Sequence, residues 1–216
     1  MPALSPQAQA LAGFFRECGL RFESGPNDYP IPAEVRPKPY AEQWQILTAR
    51  GWYSYKLEDH SLLVFVETAQ PSFSYYPCPV VAKPRHIFGR EQGFVGADIY
   101  SSEMTDRYER HLETAPLRES IVPVRFDFDE DGYDERCHPI GHVHFGHEID
   151  IRVGTDRIWN PTAFGLFILR QFYPEKWRTL LSRPTAAGLE RRVRTGLSQV
   201  DDQYRDPMFK REAYLF

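Results

Sequence analysis

Between Ile121 and Asp129, Val122, Val124, Phe126 and Phe128 alternate with Pro123, Arg125, Asp127 and Asp129. Successive side chains of an extended strand point to opposite faces, so this period of two predicts a strand with one apolar and one polar face. From His142 to Val153 the alternation returns. Val143, Phe145, Ile149, Ile151 and Val153 share one parity, with His147 among them; His142, His144, Glu148, Asp150 and Arg152 share the other. The polar segment Glu130 to Gly141 lies between. An antiparallel hairpin is the economical pairing, because parallel strands need a longer crossover.

Helix signals flank this region. Ser5 and Pro6 form a capping hydroxyl followed by a proline at the first helical position, and Ala8, Leu11, Phe14, Phe15 and Cys18 recur at helical spacing up to Gly19. Residues 24 to 39 hold five prolines without periodicity and read as a loop; Tyr40 to Arg50 reads as a second helix stopped by Gly51. Trp52 to Leu57 and Leu62 to Val66, joined by Glu58 to Ser61, predict a hairpin, and Phe73 to Tyr76 a third strand. Residues 81 to 120 give no clear assignment beyond a short helix around Ser102 to Leu112. Asn160-Pro161 opens a helix that stops at Tyr173-Pro174, with further helices around Glu175 to Leu181 and Thr185 to Thr195. The expected fold is α+β, a mostly antiparallel sheet with N-terminal helices and a helical C-terminal segment. The 216 residues suit a single domain: a helical part at 1–50, a sheet at 51–154 and a helical part at 160–216.

Composition narrows the class of protein. Hydrophobic residues at 42% supply ample core material, and no run reaches the roughly 18 apolar residues of a membrane span. The first residues lack a basic segment leading into an apolar block, so no secretory signal is expected. Cys18, Cys78 and Cys137 are odd in number and far apart, which argues against a disulfide framework and for the cytoplasm. The net charge of −4 speaks against generic nucleic-acid binding over the average surface. Locally, Arg170, Lys176, Arg178, Arg183, Arg191, Arg192 and Arg194 are opposed only by Glu175 and Glu190, a basic patch suited to phosphates.

Four of the seven histidines, His138, His142, His144 and His147, lie within ten residues. Strand parity puts His142, His144 and Glu148 on one face, and the facing strand adds Arg125, Asp127 and Asp129. Imidazoles, carboxylates and a guanidinium on one surface can hold a divalent metal or run acid–base chemistry on a phosphodiester. His142, His144, Asp127 and His138 are the candidate catalytic residues, Arg125 and Arg152 the candidate phosphate clamps, and His142, His144 and Glu148 the candidate metal ligands for zinc, manganese or magnesium. His147 falls on the apolar face and reads as a core or bulge residue beside Gly146; His60, His86 and His111 read as surface residues.

Three known patterns fit incompletely. The His-x-His of 142–144 followed by Glu148 is similar to the first metal motif of the cupins, but no histidine follows His147 to build a second. His142-Val143-His144-Phe145 is similar to the histidine-triad hydrolases, but Gly146 stands where their next histidine would. Asp127-Phe128-Asp129-Glu130-Asp131-Gly132 opens like a calcium loop, yet His138 occupies the place of its bidentate glutamate.

Arg125-Phe126-Asp127, His138-Pro139, His142-x-His144-x-Gly146, Arg152, Pro161, Phe164 and Phe172-Tyr173-Pro174 together resemble an uncharacterised bacterial domain-of-unknown-function family, number 2290. The Tyr53-Ser54-Tyr55 hairpin and Tyr76-Pro77-Cys78-Pro79 fit the same resemblance. It implies no established activity. The Arg-x-Asp with a downstream His-x-His is also similar to small bacterial toxins, which implies RNA cleavage and a defence or toxin–antitoxin setting by analogy. The leading expectation is a phosphodiesterase or nuclease acting on RNA or a nucleotide, with an antitoxin or defence-system subunit as protein partner and no membrane. The alternative is a non-catalytic component of a bacterial multiprotein system, whose histidines bind a structural metal or line an interface.

Overall fold

The computed structural model describes residues 4–25, 34–147 and 151–204. Helix α1 (Pro6–Glu17) begins where the Ser5 hydroxyl accepts from the Ala8 amide at 3.1 Å. Strand β1 (Phe22–Ser24) follows, then α2 (Tyr40–Arg50), ended by Gly51 at φ +66°. Strands β2 (Tyr55–Leu57), β3 (Leu62–Val66) and β4 (Ser72–Tyr76) form a meander. The expected strand from Trp52 starts only at Tyr55. The stretch without a clear sequence signal folds as α3 (Arg85–Glu91), a 3-10 turn at Gly96–Tyr100, and α4 (Ser102–Thr114), capped by the Ser101 hydroxyl.

Strand β5 (Val124–Phe128) keeps the alternation read from the sequence, with Val124, Phe126 and Phe128 buried. The second alternating stretch is not one strand. β6 (Gly141–Phe145) ends before Gly146, whose φ of +93° suits a residue without a Cβ, and β7 (Arg152–Gly154) runs back beside β6. After it come β8 (Arg157–Ile158), α5 (Pro161–Phe172), α6 (Pro174–Leu181), α7 (Leu189–Gly196) and β9 (Ser198–Gln199). The main sheet has seven strands in the order β1 to β7, every neighbour antiparallel, and β8 pairs with β9 apart from it. The fold is α+β.

The two faces of the sheet differ because register keeps parity aligned across it. One row reads Phe65, Phe73, Phe126, Val143 and Val153. It is covered by α1 and α5: Phe164 lies 6.4 Å from Phe65 and 6.1 Å from Phe73 between ring centroids, and Trp159 stacks on Phe126 at 5.3 Å. The opposite face carries the rows Val64, Ser74, Arg125, His144, Arg152 and Val66, Ser72, Asp127, His142, Gly154. Helix α2 covers its β3 end, where Trp44 and Leu47 pack with Leu62, Cys78 and Val80. Among the described residues, no helix is long and apolar enough to cross a membrane.

Candidate metal centre

The polar face concentrates its chemistry where β5, β6 and β7 meet. Asp127 stands opposite His142, and Arg125 opposite His144, across the β5–β6 pair; Arg152 stands opposite His144 across β6–β7. Directly opposed residues of an antiparallel pair share a face, so two imidazoles, two guanidinium-bearing residues and a carboxylate fall side by side. Arg152 joins His144 through pairing with a neighbouring strand, whereas sequence parity had placed it on the same strand. Glu148, the third expected metal ligand, lies outside the described residues, as does Asp150.

Among the described residues, Asp127 joins the two histidines as a third donor. One donor atom each from Asp127, His142 and His144 falls within 4.8 Å of the others. The two Nε2 atoms stand 2.9 Å apart, and His144 Nε2 is 3.4 Å from Asp127 Oδ2. Two donors each about 2.1 Å from one ion stand roughly 3.0 Å apart at a right angle and roughly 3.4 Å apart at the tetrahedral angle. The His142–His144 and His144–Asp127 separations match donors that share an ion.

The hydrogen bonds set which atoms are bare. His142 Nδ1 faces the Pro139 carbonyl at 2.6 Å; a carbonyl only accepts, so Nδ1 carries the proton and Nε2 a lone pair. Burial, aided by His144 alongside, pushes the His142 pKa down to about 4, against the opposing pull of the Pro139 carbonyl and Asp127. The ring is 1% exposed and neutral at pH 7. The network then assigns the proton between the two rings to His144 Nε2. Burial works to raise the Asp127 pKa, but hydrogen bonding with His144, the Arg125 charge and the Ser72 hydroxyl outweigh it and hold the carboxyl well below the usual range. Arg125 Nε donates to Asp127 Oδ2 at 2.6 Å and the Ser72 hydroxyl to Oδ1 at 2.7 Å. A neutral imidazole with its lone pair inward, a second imidazole and an anchored carboxylate form a ligand set, with outer hydrogen bonds of the kind that orient metal ligands.

His138 sits behind this group. Its ring centroid is 4.6 Å from that of His142, while its Nδ1 bonds the Gly132 carbonyl. His147 is half-buried against Tyr40, with ring centroids 5.6 Å apart. His60, expected at the surface, is half-buried: its Nε2 meets the Tyr108 hydroxyl at 3.1 Å, since Trp44 and Tyr108 from distant helices close over it. His111 stacks on Phe88 at 4.5 Å. The basic C-terminal segment lies with the helices on the other face of the sheet, and several of its cations fasten those helices. Arg170 pairs with Glu190, Arg178 with Glu175, Lys176 with Glu58, and Arg183 reaches the Glu17 carbonyl.

Sequence reading passed over Ser72 and the Pro139 carbonyl. Ser72, Ser74 and Tyr76 alternate with Phe73 and Tyr75, so the strand pattern did carry the signal for Ser72. A main-chain carbonyl carries none. No curated protein and no solved structure matches the chain. Residues 24–206, which include the whole donor cluster, match the family described as Uncharacterized conserved protein (DUF2290), and the chain belongs to that family.

Proposed function

We propose that Asp127, His142 and His144 bind a divalent metal ion and that the protein hydrolyses phosphodiester bonds in RNA or a nucleotide. The observation that carries this reading is the convergence of three donor atoms within 4.8 Å, with Arg125 bonded to Asp127 and Arg152 opposite His144 in register. Three protein ligands leave coordination positions for water and substrate, as catalytic sites do. A bound ion would supply a nucleophile by lowering the pKa of its water to about 7. His142 stays neutral through its buried ring, Asp127 stays ionised through Arg125 and Ser72, and Arg125 and Arg152 flank His144 to receive phosphate oxygens. Arg125 reaches Asp127 through Nε, and its side chain is 43% exposed.

The burial of His142 favours one second reading, a closed structural metal site in a non-catalytic component of a larger assembly. Metal analysis of the purified protein, with RNA and DNA degradation assays on wild type and His144→Ala, separates the two. The hydrolase reading expects about one ion per chain and a loss of cleavage of roughly 100-fold or more in the variant. Cleavage that survives in His144→Ala, or is never seen with zinc, manganese or magnesium supplied, overturns it. Retained stoichiometric zinc without cleavage supports the structural reading.

A further inference from the structure

The loop between β5 and β6, residues 129–140, is built around His142. Its neck is closed by the Asp129 amide donating to the Ile140 carbonyl at 2.8 Å, and an isolated antiparallel bridge pairs Asp134 with His138. Inside the loop the His138 amide donates to the Asp134 carbonyl at 2.9 Å, and the Gly132 amide to Asp129 Oδ1 at 2.9 Å. The Gly132 carbonyl accepts from His138 Nδ1. A methyl group on Gly132 would lie 2.6 Å from His138 Cε1 and 2.9 Å from its Nδ1, and would press on Asp129 Oδ2 as well. Glycine is needed here for space, so that the edge of the His138 ring can reach the loop backbone.

Both ends of the His138-Pro139 pair then act on one side chain. The His138 ring backs the His142 ring at 4.6 Å and 54°, and the next carbonyl, that of Pro139, takes the Nδ1 proton of His142. His138 stands outside the donor cluster, which among the described residues consists of Asp127, His142 and His144.

We infer that His138 is a positioning residue: seated by Gly132, its ring holds His142 in the Nδ1–H tautomer with the Nε2 lone pair turned toward Asp127 and His144. On this inference His138 has a positioning role where the sequence reading expected a catalytic one. The affinity arm of the test rests on the metal reading above; the tautomer arm does not.

The test compares wild type, His138→Ala, His138→Phe and Gly132→Ala in the full chain. Long-range proton–nitrogen NMR spectra of metal-free protein report the His142 tautomer, and titration with Mn2+ or Zn2+ reports affinity. Wild type and His138→Phe show one Nδ1–H tautomer, and their dissociation constants agree within about threefold. His138→Ala shows mixed tautomers and binds about 10 to 100-fold more weakly, the loss typical of an outer partner of a ligand. Gly132→Ala resembles His138→Ala. If the phenylalanine variant loses as much as alanine, His138 acts through its nitrogens and the inference is wrong. If alanine changes neither readout, it is wrong as well. Should wild type bind neither ion while the tautomer responds as stated, the metal reading fails and the positioning role stands. Because the phenylalanine and alanine variants differ only in the ring, the comparison holds even if Gly132→Ala disturbs the loop.

Discussion

His60 offers the sharpest measurement of how the fold handles a half-buried imidazole. Its residue sits in the left-handed region at φ +66°, and its Nε2 meets the Tyr108 hydroxyl, which itself donates to the Lys83 carbonyl at 2.6 Å. His60 must therefore donate to Tyr108. Burial, reinforced by Lys56 and opposed by Asp59 and Glu23, lowers its pKa from 6.5 to about 4. The unfolded chain takes up the proton near 6.5 and the folded protein only near 4. Above pH 6.5 both states are neutral and this part of the stability is complete. As pH falls toward 4 the unfolded state gains the proton first and stability is lost. The shift corresponds to about 3 kcal/mol in full, of which roughly 2 to 3 kcal/mol has gone by pH 4.5. Carboxylates such as Asp127 lose stability in acid too, so a control is needed. His60→Asn tolerates the left-handed backbone and does not titrate. Urea unfolding of both proteins at pH 7 and pH 4.5 gives the answer: the advantage of wild type over the variant shrinks by about 2 kcal/mol or more between the two. An unchanged difference would refute the burial of His60 as the cause.

Two further outcomes test the centre and the core. A divalent ion at about 100 times its dissociation constant stabilises the protein by about 2.7 kcal/mol, a rise in Tm of roughly 5 to 10 °C that EDTA reverses and His142→Ala abolishes; equal shifts in wild type and variant place the ion elsewhere. Gly165 on α5 would, with a Cβ, press into Leu11 of α1, whose Cδ1 lies 2.6 Å away from that position. Gly165→Ala is expected to destabilise by about 1 to 3 kcal/mol from overpacking, visible in the urea midpoint, despite the better helix propensity of alanine; a more stable variant contradicts the close approach of the two helices.

What the sequence revealed was local. Ser5-Pro6, Gly51 and Asn160-Pro161 act within one helical turn, so the ends of α1, α2 and α5 could be read directly. The alternation of Val124 to Phe128 did the same for β5 and brought Arg125 and Asp127 to the histidine face. The break at Gly146 was hidden, because apolar and polar residues keep alternating on both sides of it. Arg152 lands beside His144 through strand pairing, a relation that parity along one strand does not encode. His60 looked like a turn residue because the groups that bury it, Trp44 and Tyr108, lie far away in the chain. The Pro139 carbonyl that sets the His142 tautomer belongs to the backbone, and no residue type announces it.

The strict succession of strands β1 to β7 also bears on how the protein acquires its structure. Pairings between sequence neighbours close short loops and form quickly. The longest interval in this sheet is the helical insertion between β4, ending at Tyr76, and β5, starting at Val124; a shorter one, carrying α2, separates β1, ending at Ser24, from β2, starting at Tyr55. Two meanders, β2–β4 and β5–β7, can therefore assemble apart and meet late. Asp127, His142 and His144 all belong to the second, and Ser72, the hydroxyl that anchors Asp127, arrives with the first. The donor triangle can be sketched early in folding, and its carboxylate gains that anchor only when the halves join.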